Sequence, residues 1–342
     1  MRIVHLILTS RFAGSERHVI ELANAQAAKH DVTLILRRAA AQSRADSYAH
    51  RVAPEVKLIL VGDWFARWHA RKLLRKLRPD VAHAHLSGAC RALHGLNGLC
   101  LRLATLHICY KPQQHAALDA LVAIAPWQMD TIPLPLRKHT TQIDNWTLPH
   151  PAAKDARQRL RALHGIASDA WVIGAIGRVE HSKGFDILID AFQQANLPNA
   201  YLVIIGQGSR LDELRRKAVK NVLLLGFSNR PEEWLATFDC FVSASRDEPF
   251  GLVLLEAMQA GLPILASASQ GARHLADIIE TPLLPIADSS ALAAGLKELT
   301  DTRPARRTYP MQRFSIESKL HEIEEFYQRE LANIAERESF YP

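Results

Sequence analysis

Two glutamates eight positions apart, Glu248 and Glu256, form the most informative chemical pattern in this sequence. Between them, residues 249–252 (Pro-Phe-Gly-Leu) follow a strand pattern at 238–244 and open a helical pattern. Free N–H groups at a helix start favour phosphate and polarised oxygen atoms, and carboxylates accept hydrogen bonds from sugar hydroxyls. The spacing therefore indicates nucleotide-sugar binding, whereas an isolated pair of acids is usually solvated.

Two cations follow another strand pattern, at residues 171–176. Arg178 and Lys183 lie five positions apart on the loop after it, where both could converge on a diphosphate. Fixed cations stabilise the negative charge that develops on a leaving diphosphate, although each residue alone would be an ordinary surface cation. The sequence contains no Asp-x-Asp triplet, so these cations predict a metal-free mechanism without a cofactor.

The amino-terminal part offers weaker candidates. Gly14 and Ser15 follow the first strand pattern and could bring backbone amides to the same phosphates, or they could form a plain strand-to-helix turn. His107 ends a strand pattern, and His83 and His85 end the preceding one. A histidine at a strand end is either an ordinary polar residue or part of a site, so these three remain open.

Several runs of this chain resemble those of the family 4 retaining glycosyltransferases. The first is the Glu-x7-Glu run at 248–256, and the others are a Gly-Arg…Lys-Gly segment at 177–191, a strand and glycine loop at 203–208, and the loop at 13–18. Ala13 replaces the first glycine of that last loop. The similarity spans most of the chain and is strongest from 174 to 271.

The resemblance implies specific roles for the residues of the Glu-x7-Glu run. Glu256 would accept hydrogen bonds from the ribose hydroxyls of the donor, and Glu248 would approach the sugar ring near its reacting carbon. The backbone amides of Phe250, Gly251 and Leu252 would hold sugar hydroxyls or phosphate oxygens, which requires a close approach of the backbone.

The activity implied is retaining transfer of a hexose from a nucleotide diphosphate sugar, with a UDP-sugar favoured, to a hydroxyl of a glycan acceptor. His107 would lie near the donor sugar, and the acceptor would belong to lipopolysaccharide core or another cell-surface polysaccharide. A sugar-nucleotide 2-epimerase of the same layout and a nucleic-acid or anion-binding module are alternatives. A dinucleotide-dependent dehydrogenase is a poorer fit, because no Gly-x-Gly-x-x-Gly follows the first strand pattern.

The elements that would position these residues form two cycles of strand and helix patterns. The strand patterns lie at 3–8, 31–36, 56–61, 81–84, 103–107 and 120–125, and then at 171–176, 201–205, 222–225, 240–243 and 264–266. Such alternation predicts an α/β protein with parallel sheets, and the resemblance makes it the GT-B fold, two Rossmann-like domains facing a central cleft. We expect an acceptor-side domain at 1–150, a donor domain at 151–319, and a helix at about 320–342 that packs back on the first.

Charge is divided unevenly between the two parts. Residues 1–150 carry a net charge of +10 and residues 151–342 carry −3. A predicted helix at 63–78 places aromatic residues and cations on one face, which is typical of contact with an anionic membrane, although a solvated basic helix is the alternative. That face comprises Trp64, Trp68, Arg71, Lys72 and Arg75.

Location is predicted from what the sequence lacks. No apolar run reaches the roughly 18 residues of a membrane span, and the four cysteines include no Cys-x-x-Cys pair. We therefore expect a cytoplasmic protein with peripheral contact at the inner membrane surface, and no nucleic-acid partner.

Overall fold

The structure is a computed structural model that describes residues 1–44 and 46–340, with side chains up to 336. Its contacts divide the chain into two compact units. The first, here called the N-terminal unit, comprises residues 1–146 and 314–342, and the C-terminal unit comprises 147–313. These limits lie a few residues from the domain boundaries expected at 150 and 319.

The N-terminal unit is built on one parallel sheet of seven strands in the order β3-β2-β1-β4-β5-β6-β7. Nearly every residue of its central strands is buried, as expected when helices cover both faces of a parallel sheet. The strands are β1 (Arg2–Ile7), β2 (Asp31–Arg37), β3 (Lys57–Val61), β4 (Val81–His85), β5 (Leu101–Leu106), β6 (Ala120–Ala123) and β7 (Thr140–Gln142).

Six helices connect or flank these strands. They are α1 (Gly14–Gln26), α2 (Ala66–Leu77), α3 (Leu86–Ala92), α4 (Pro112–His115), α5 (Pro126–Met129) and α6 (Leu134–Arg137). The predicted helix at 63–78 begins later than expected, because Phe65 has a left-handed backbone (φ 57°) and precedes the first helical residue. Strand β7 was not predicted, since it is only three residues long and follows a proline-rich segment.

The C-terminal unit has a parallel sheet of five strands in the order β10-β9-β8-β11-β12. Its strands are β8 (Trp171–Ile176), β9 (Ala200–Ile205), β10 (Val222–Gly226), β11 (Cys240–Ser243) and β12 (Ile264–Ala266). Its helices are α7 (Ala156–Leu163), α8 (Phe185–Ala195), α9 (Leu211–Lys217), α10 (Pro231–Thr237), α11 (Leu252–Gln259), α12 (Gln270–His274), α13 (Ala276–Ile279) and α14 (Ser289–Thr302).

The last helix, α15 (Ile316–Phe340), belongs to the N-terminal unit, where it packs against α1 and β5. Its side chains Ile323, Phe326 and Tyr327 are almost fully buried in a core that also contains Ile3 and Trp146. No helix in the described part of the chain combines the length and the hydropathy of a bilayer span. The prediction of two α/β units with parallel sheets is confirmed.

Candidate active site

The strand order of the C-terminal unit reverses direction between β8 and β11. In open parallel sheets, the crevice at the carboxyl ends of the strands on either side of such a reversal is where ligands bind. Two loops start there, residues 177–184 after β8 and residues 244–251 after β11. These loops carry five of the predicted site residues, Arg178, Lys183, Glu248, Phe250 and Gly251.

Lys183 and Glu248 are brought together as an ion pair across the two loops, although they are 65 residues apart in sequence. Their side chains are only 16% and 11% exposed, respectively. The aliphatic part of Lys183 passes close to Gly177, where a Cβ atom would lie 3.6 Å from its Cδ and Cε. The pair therefore occupies a defined, mostly dehydrated position, in contrast to a typical surface ion pair.

A second, unpredicted pair joins the loop after β11 to the first turn of α8, which directly follows the loop that carries Lys183. Arg246 donates two hydrogen bonds to the Asp186 carboxylate, at 2.8 and 2.7 Å, and its backbone N–H donates to the Ser182 carbonyl at 2.8 Å. Burial opposes ionisation of Asp186, but the bonds and charge of Arg246, with the charge of Arg210, lower the pKa of Asp186 to about 2. This bidentate contact fixes the loop that carries Glu248 relative to the loop that carries Lys183.

Gly184 permits the close approach of the loops. It adopts a left-handed conformation (φ 65°), and a Cβ atom there would lie 2.0 Å from the carbonyl oxygen of Ala244. Only glycine fits this position, because any side chain would clash with the backbone at the end of β11. In the Lys-Gly pair at 183–184, the glycine is therefore needed for packing, and the lysine is the residue predicted to act in the chemistry.

Helix α11 begins beside Glu248. Gly251, in the left-handed region (φ 93°), precedes its first residue, Leu252, and accepts a 2.8 Å hydrogen bond from the Leu254 N–H. A Cβ atom on Gly251 would lie 2.9 Å from Leu254 Cδ1 and 3.5 Å from Glu248 Cγ, so glycine keeps this space open. Phe250 is buried and Glu256 is half-buried on α11.

Arg178 lies on the loop after β8 and is exposed. It contributes to a lowered pKa of Glu180, after the larger effect of the hydrogen bonds from Ser209. Arg178 therefore lies beyond the carboxyl end of β8, where it is exposed.

In the N-terminal unit, Gly14 and Ser15 form the first turn of α1, after the carboxyl end of β1. Gly14 is exposed, and Ala13 before it is extended and provides no side-chain cap. The Ser15 hydroxyl donates to the Glu16 carboxylate at 3.1 Å. Burial raises the pKa of Glu16, and the hydrogen bonds that it accepts only partly offset this effect.

His107 follows β5 at the same sheet edge, and its Nε2 lies 3.0 Å from Nδ1 of His85. Burial lowers the pKa of His107 to about 3, so the ring is neutral at physiological pH. His83 is different, because both of its ring nitrogens are engaged, with the Tyr327 hydroxyl at 2.6 Å and the Thr105 hydroxyl at 2.8 Å. His83 is therefore a packing residue.

The aromatic and basic face predicted around α2 is present on the N-terminal unit. Trp64 is 84% exposed and Trp68 is 58% exposed, and Phe65, which was not predicted, is 80% exposed. Side chains from this face line a shallow cavity of about 300 Å³, namely Phe65, Arg67, Trp68, Arg71 and Arg91. Ala66, Ala70 and Leu74 form the opposite, buried face of the helix, as its periodicity predicts.

Two family models match successive parts of the chain. The model "Glycosyltransferase Family 4" matches residues 12–173, and the model "Glycosyl transferases group 1" matches residues 156–310. The two matches overlap at residues 156–173 and together span residues 12–310, which includes most of both units but not α15.

Among curated proteins, the chain is similar to the lipopolysaccharide core biosynthesis glycosyltransferase LpsD of Rhizobium meliloti (strain 1021). The two are 26% identical over 324 residues, and the match covers 90% of each chain. The chain is 32% identical over 145 residues to LpsE of the same strain, covering 41% of this chain and 42% of LpsE. Among solved structures, Anabaena HepE in complex with UDP-glucose superposes with a TM-score of 0.80 at 18% identity, covering 96% of this chain and all of HepE. WaaG, a glycosyltransferase involved in lipopolysaccharide biosynthesis, superposes with a TM-score of 0.68 at 19% identity, covering 94% of each chain.

Proposed function

This chain belongs to the family 4 glycosyltransferases and has the GT-B fold, and from that premise we propose that it transfers a hexose with retention from a UDP-sugar to a glycan hydroxyl. The observation that carries the proposal is the Lys183–Glu248 pair, which lies at the switch point of the C-terminal sheet beside the glycine that opens α11. The family matches favour this activity over the dehydrogenase and nucleic-acid-binding alternatives.

The donor assignment rests on chemistry at this switch point. The Lys183 ammonium and the Arg178 guanidinium are the cations available on the loop after β8 to stabilise charge on a leaving diphosphate. The backbone at Phe250, Gly251 and Leu252 opens α11, where N–H groups favour anionic or polarised oxygens. UDP is supported by the UDP-glucose complex of HepE, whose fold this chain shares.

Glu248 and Lys183 then act as a coupled pair in the proposed reaction. Glu248 orients the donor sugar, and Lys183, whose charge it balances, binds the diphosphate. Because Glu248 balances the charge of Lys183, the free-energy cost of holding the mostly buried ammonium is low before the donor binds. Once the donor binds, its phosphate oxygens share that ammonium. Arg246 and Asp186 are positioning residues, since they fix the two loops without being needed at the diphosphate.

The N-terminal unit is proposed to bind the acceptor, with Gly14 and Ser15 bringing backbone amides to the phosphates and His107 lying near the donor sugar. The acceptor is proposed to be a lipopolysaccharide core or another cell-surface polysaccharide, which is what the name of LpsD gives for that relative. We place the reaction in the cytoplasm, at the inner membrane surface.

Calorimetric titration with UDP, GDP and ADP in the presence of EDTA tests the donor site. We expect one nucleoside diphosphate, UDP, to bind without metal, and Glu256→Ala to weaken that binding at least tenfold. Glu298→Ala is the matched control, since Glu298 is an exposed acid on α14 of the same unit. Equal binding of UDP to wild type and Glu256→Ala would contradict the assignment of Glu256.

Turnover measurements separate binding from chemistry. Arg178→Ala and Lys183→Ala should each lower kcat about 100-fold, the scale of losing one group that stabilises charge in the transition state. Arg230→Ala, an exposed arginine at the start of α10, is the control for a lost surface cation. Unchanged kcat in both cation variants would refute the diphosphate assignment.

Membrane contact is proposed for the face formed by Trp64, Phe65 and Trp68 with the neighbouring cations Arg71, Lys72 and Arg75. Exposed indoles beside cations suit the headgroup region of an anionic bilayer. We expect Trp64→Ala/Trp68→Ala to reduce sedimentation with phosphatidylglycerol vesicles, whereas Leu134→Ala, which removes another exposed apolar side chain of this unit, should not. Equal sedimentation of the double variant and wild type would mean that this face is merely solvated.

A further inference from the structure

Five histidines meet inside the N-terminal unit, on or directly after three neighbouring strands and on α1. His5 lies on β1, His83 and His85 lie on β4, His107 follows β5, and His18 lies on α1. The glycosyl-transfer proposal uses only His107 of this group. Within the described residues, two sets of three place one ring nitrogen each within 4.8 Å of the others: His5 with His83 and His85, and His18 with His85 and His107.

The two sets differ in whether their nitrogens are available. His83 uses both ring nitrogens in short hydrogen bonds to the hydroxyls of Tyr327 and Thr105, which belong to neither set, whereas Nδ1 of His85 is bonded to His107, a member of the same set. His18 differs: its ring is 5% exposed and stacks on Trp146 at 4.2 Å, and its one side-chain hydrogen-bond partner among the described residues is Asn145, so one ring nitrogen is unused. A buried polar group without a partner is costly and signals a missing ligand.

Asn145 is the other buried polar side chain beside His18. Burial, His107 and His5 lower the pKa of the His18 ring, and a side-chain hydrogen bond with Asn145 raises it by less. The two ring nitrogens of an imidazole point in different directions, so Asn145 can engage only one of them and the other is available to a ligand.

A hydrogen-bonded chain fixes which nitrogen of His85 would bind a cation, in place of the hydrogen bond that it now accepts from His107. The Gln26 oxygen accepts from His5 Nε2 at 2.6 Å, so Nδ1 of neutral His5 is the acceptor for His85 Nε2 at 3.3 Å. That bond leaves a lone pair on His85 Nδ1, directed at His107 Nε2 at 3.0 Å. Metal-ligating histidines characteristically donate their second N–H to such a partner, which fixes the tautomer and the ring orientation.

We propose that His18, His85 and His107 bind a divalent cation of the zinc class, with His5 and Gln26 orienting His85 from behind. Ligands on one tetrahedral Zn²⁺, each about 2.1 Å from the metal, are roughly 3.4 Å apart, which is near the present separation of the His85 and His107 nitrogens. Neutral imidazoles prefer Zn²⁺, Ni²⁺ or Cu²⁺ over Mg²⁺ or Ca²⁺. His107 needs only to shift its hydrogen from Nε2 to Nδ1, so binding to the neutral site releases no proton.

Three histidine ligands leave the fourth tetrahedral position open, on the partly exposed side of His107. If His107 contacts the donor sugar as proposed above, an occupied site withdraws it from that contact, and Zn²⁺ becomes an inhibitor. This consequence rests on the proposed function, whereas cation binding itself does not.

Binding is tested with Zn²⁺ and Co²⁺ on EDTA-stripped, desalted protein, by calorimetry and by visible absorption of bound Co²⁺. We expect one Zn²⁺ per chain, tetrahedral Co²⁺ bands, and a rise in Tm with Zn²⁺ because the cation binds the folded state. His18→Gln should lower Zn²⁺ affinity at least tenfold, and His18→Phe, which keeps an aromatic ring against Trp146, should do the same. His321→Gln is the control, since His321 is 73% exposed on α15.

The outcomes are distinct. Equal Zn²⁺ affinity in wild type, His18→Gln and His18→Phe would overturn the site, as would the absence of any Zn²⁺-dependent rise in Tm of the wild-type protein. Tight Zn²⁺ binding that leaves turnover unchanged would keep the site and refute the placement of His107 near the donor. Inhibition of turnover by Zn²⁺ that is relieved in His18→Gln would support both the cation site and the placement of His107 near the donor.

Discussion

A double-mutant cycle on Lys183 and Glu248 tests whether their ion pair stabilises the folded protein. Lys183→Met keeps the methylenes beside Gly177 but leaves the Glu248 carboxylate buried and unpaired, which we expect to cost about 3 kcal/mol. Glu248→Gln preserves shape and removes the charge, with an expected cost of about 2 kcal/mol. If the pair is coupled, the double variant should lose only about 3 kcal/mol, giving a coupling free energy of about 2 kcal/mol.

The assay is equilibrium unfolding in urea, with hydrogen exchange of peptides from the C-terminal unit to assign the loss to β8 and β11. Both side chains are less than one-fifth exposed, so solvent screening should not remove the effect. Repeating the cycle in 1 M salt distinguishes this pair from an exposed one, whose coupling would vanish.

Additivity is the result that would refute this reasoning. Distant, independent sites add within about 0.5 kcal/mol, so a coupling below that value would mean that the two side chains do not share a dehydrated contact. In that case, the charge-balanced donor site proposed above would lose its structural basis.

Three further results are expected. Gly184→Ala should lower the free energy of unfolding by more than 2 kcal/mol in urea titrations, because it combines a left-handed backbone with a clash. Ser182→Ala, in the same loop, should be close to neutral, since the known contacts of Ser182 are made by its backbone carbonyl. The folded pKa of Asp186, about 2, is below its unfolded value near 4, so the stabilisation from its ionised form should be complete above pH 5 and lost as pH falls toward 2. Arg246→Gln should flatten that part of a curve of unfolding free energy against pH. Burial raises the pKa of Glu16, so its ionisation opposes folding as pH rises, and Glu16→Gln should raise Tm at pH 8 by more than at pH 4; a smaller gain at pH 8 would argue against this.

The strands could be predicted from the sequence because apolar runs of four to seven residues, separated by amphipathic helices, leave few alternatives in a parallel sheet. All eleven predicted strands match observed ones to within two residues at each end. The observed strand that was not predicted, β7, has only three residues and depends on pairing with β6, which local sequence does not encode.

The partners within the site were harder to predict. Glu248 was assigned by its motif, but its contact with Lys183 depends on how two loops 65 residues apart approach each other. Arg246 and Asp186 have no local pattern that marks them as a pair. His5 and His18 were likewise missed. The register of β1 and β4 places His5 opposite His83, and the packing of α1 brings His18 beside His85, neither of which local sequence encodes.

The order in which this chain emerges from the ribosome has a consequence for its folding in the cell. Strands β1 to β7 are synthesised first, but α15, which contributes Phe326 and Tyr327 to their core, follows the 167 residues from 147 to 313. At about 5–20 residues per second, the ribosome takes roughly 10 to 30 s to synthesise the residues between this sheet and α15, and the sheet lacks that helix until then. The C-terminal unit can complete its own fold during that interval, whereas the N-terminal unit exposes a hydrophobic face on which chaperones can act.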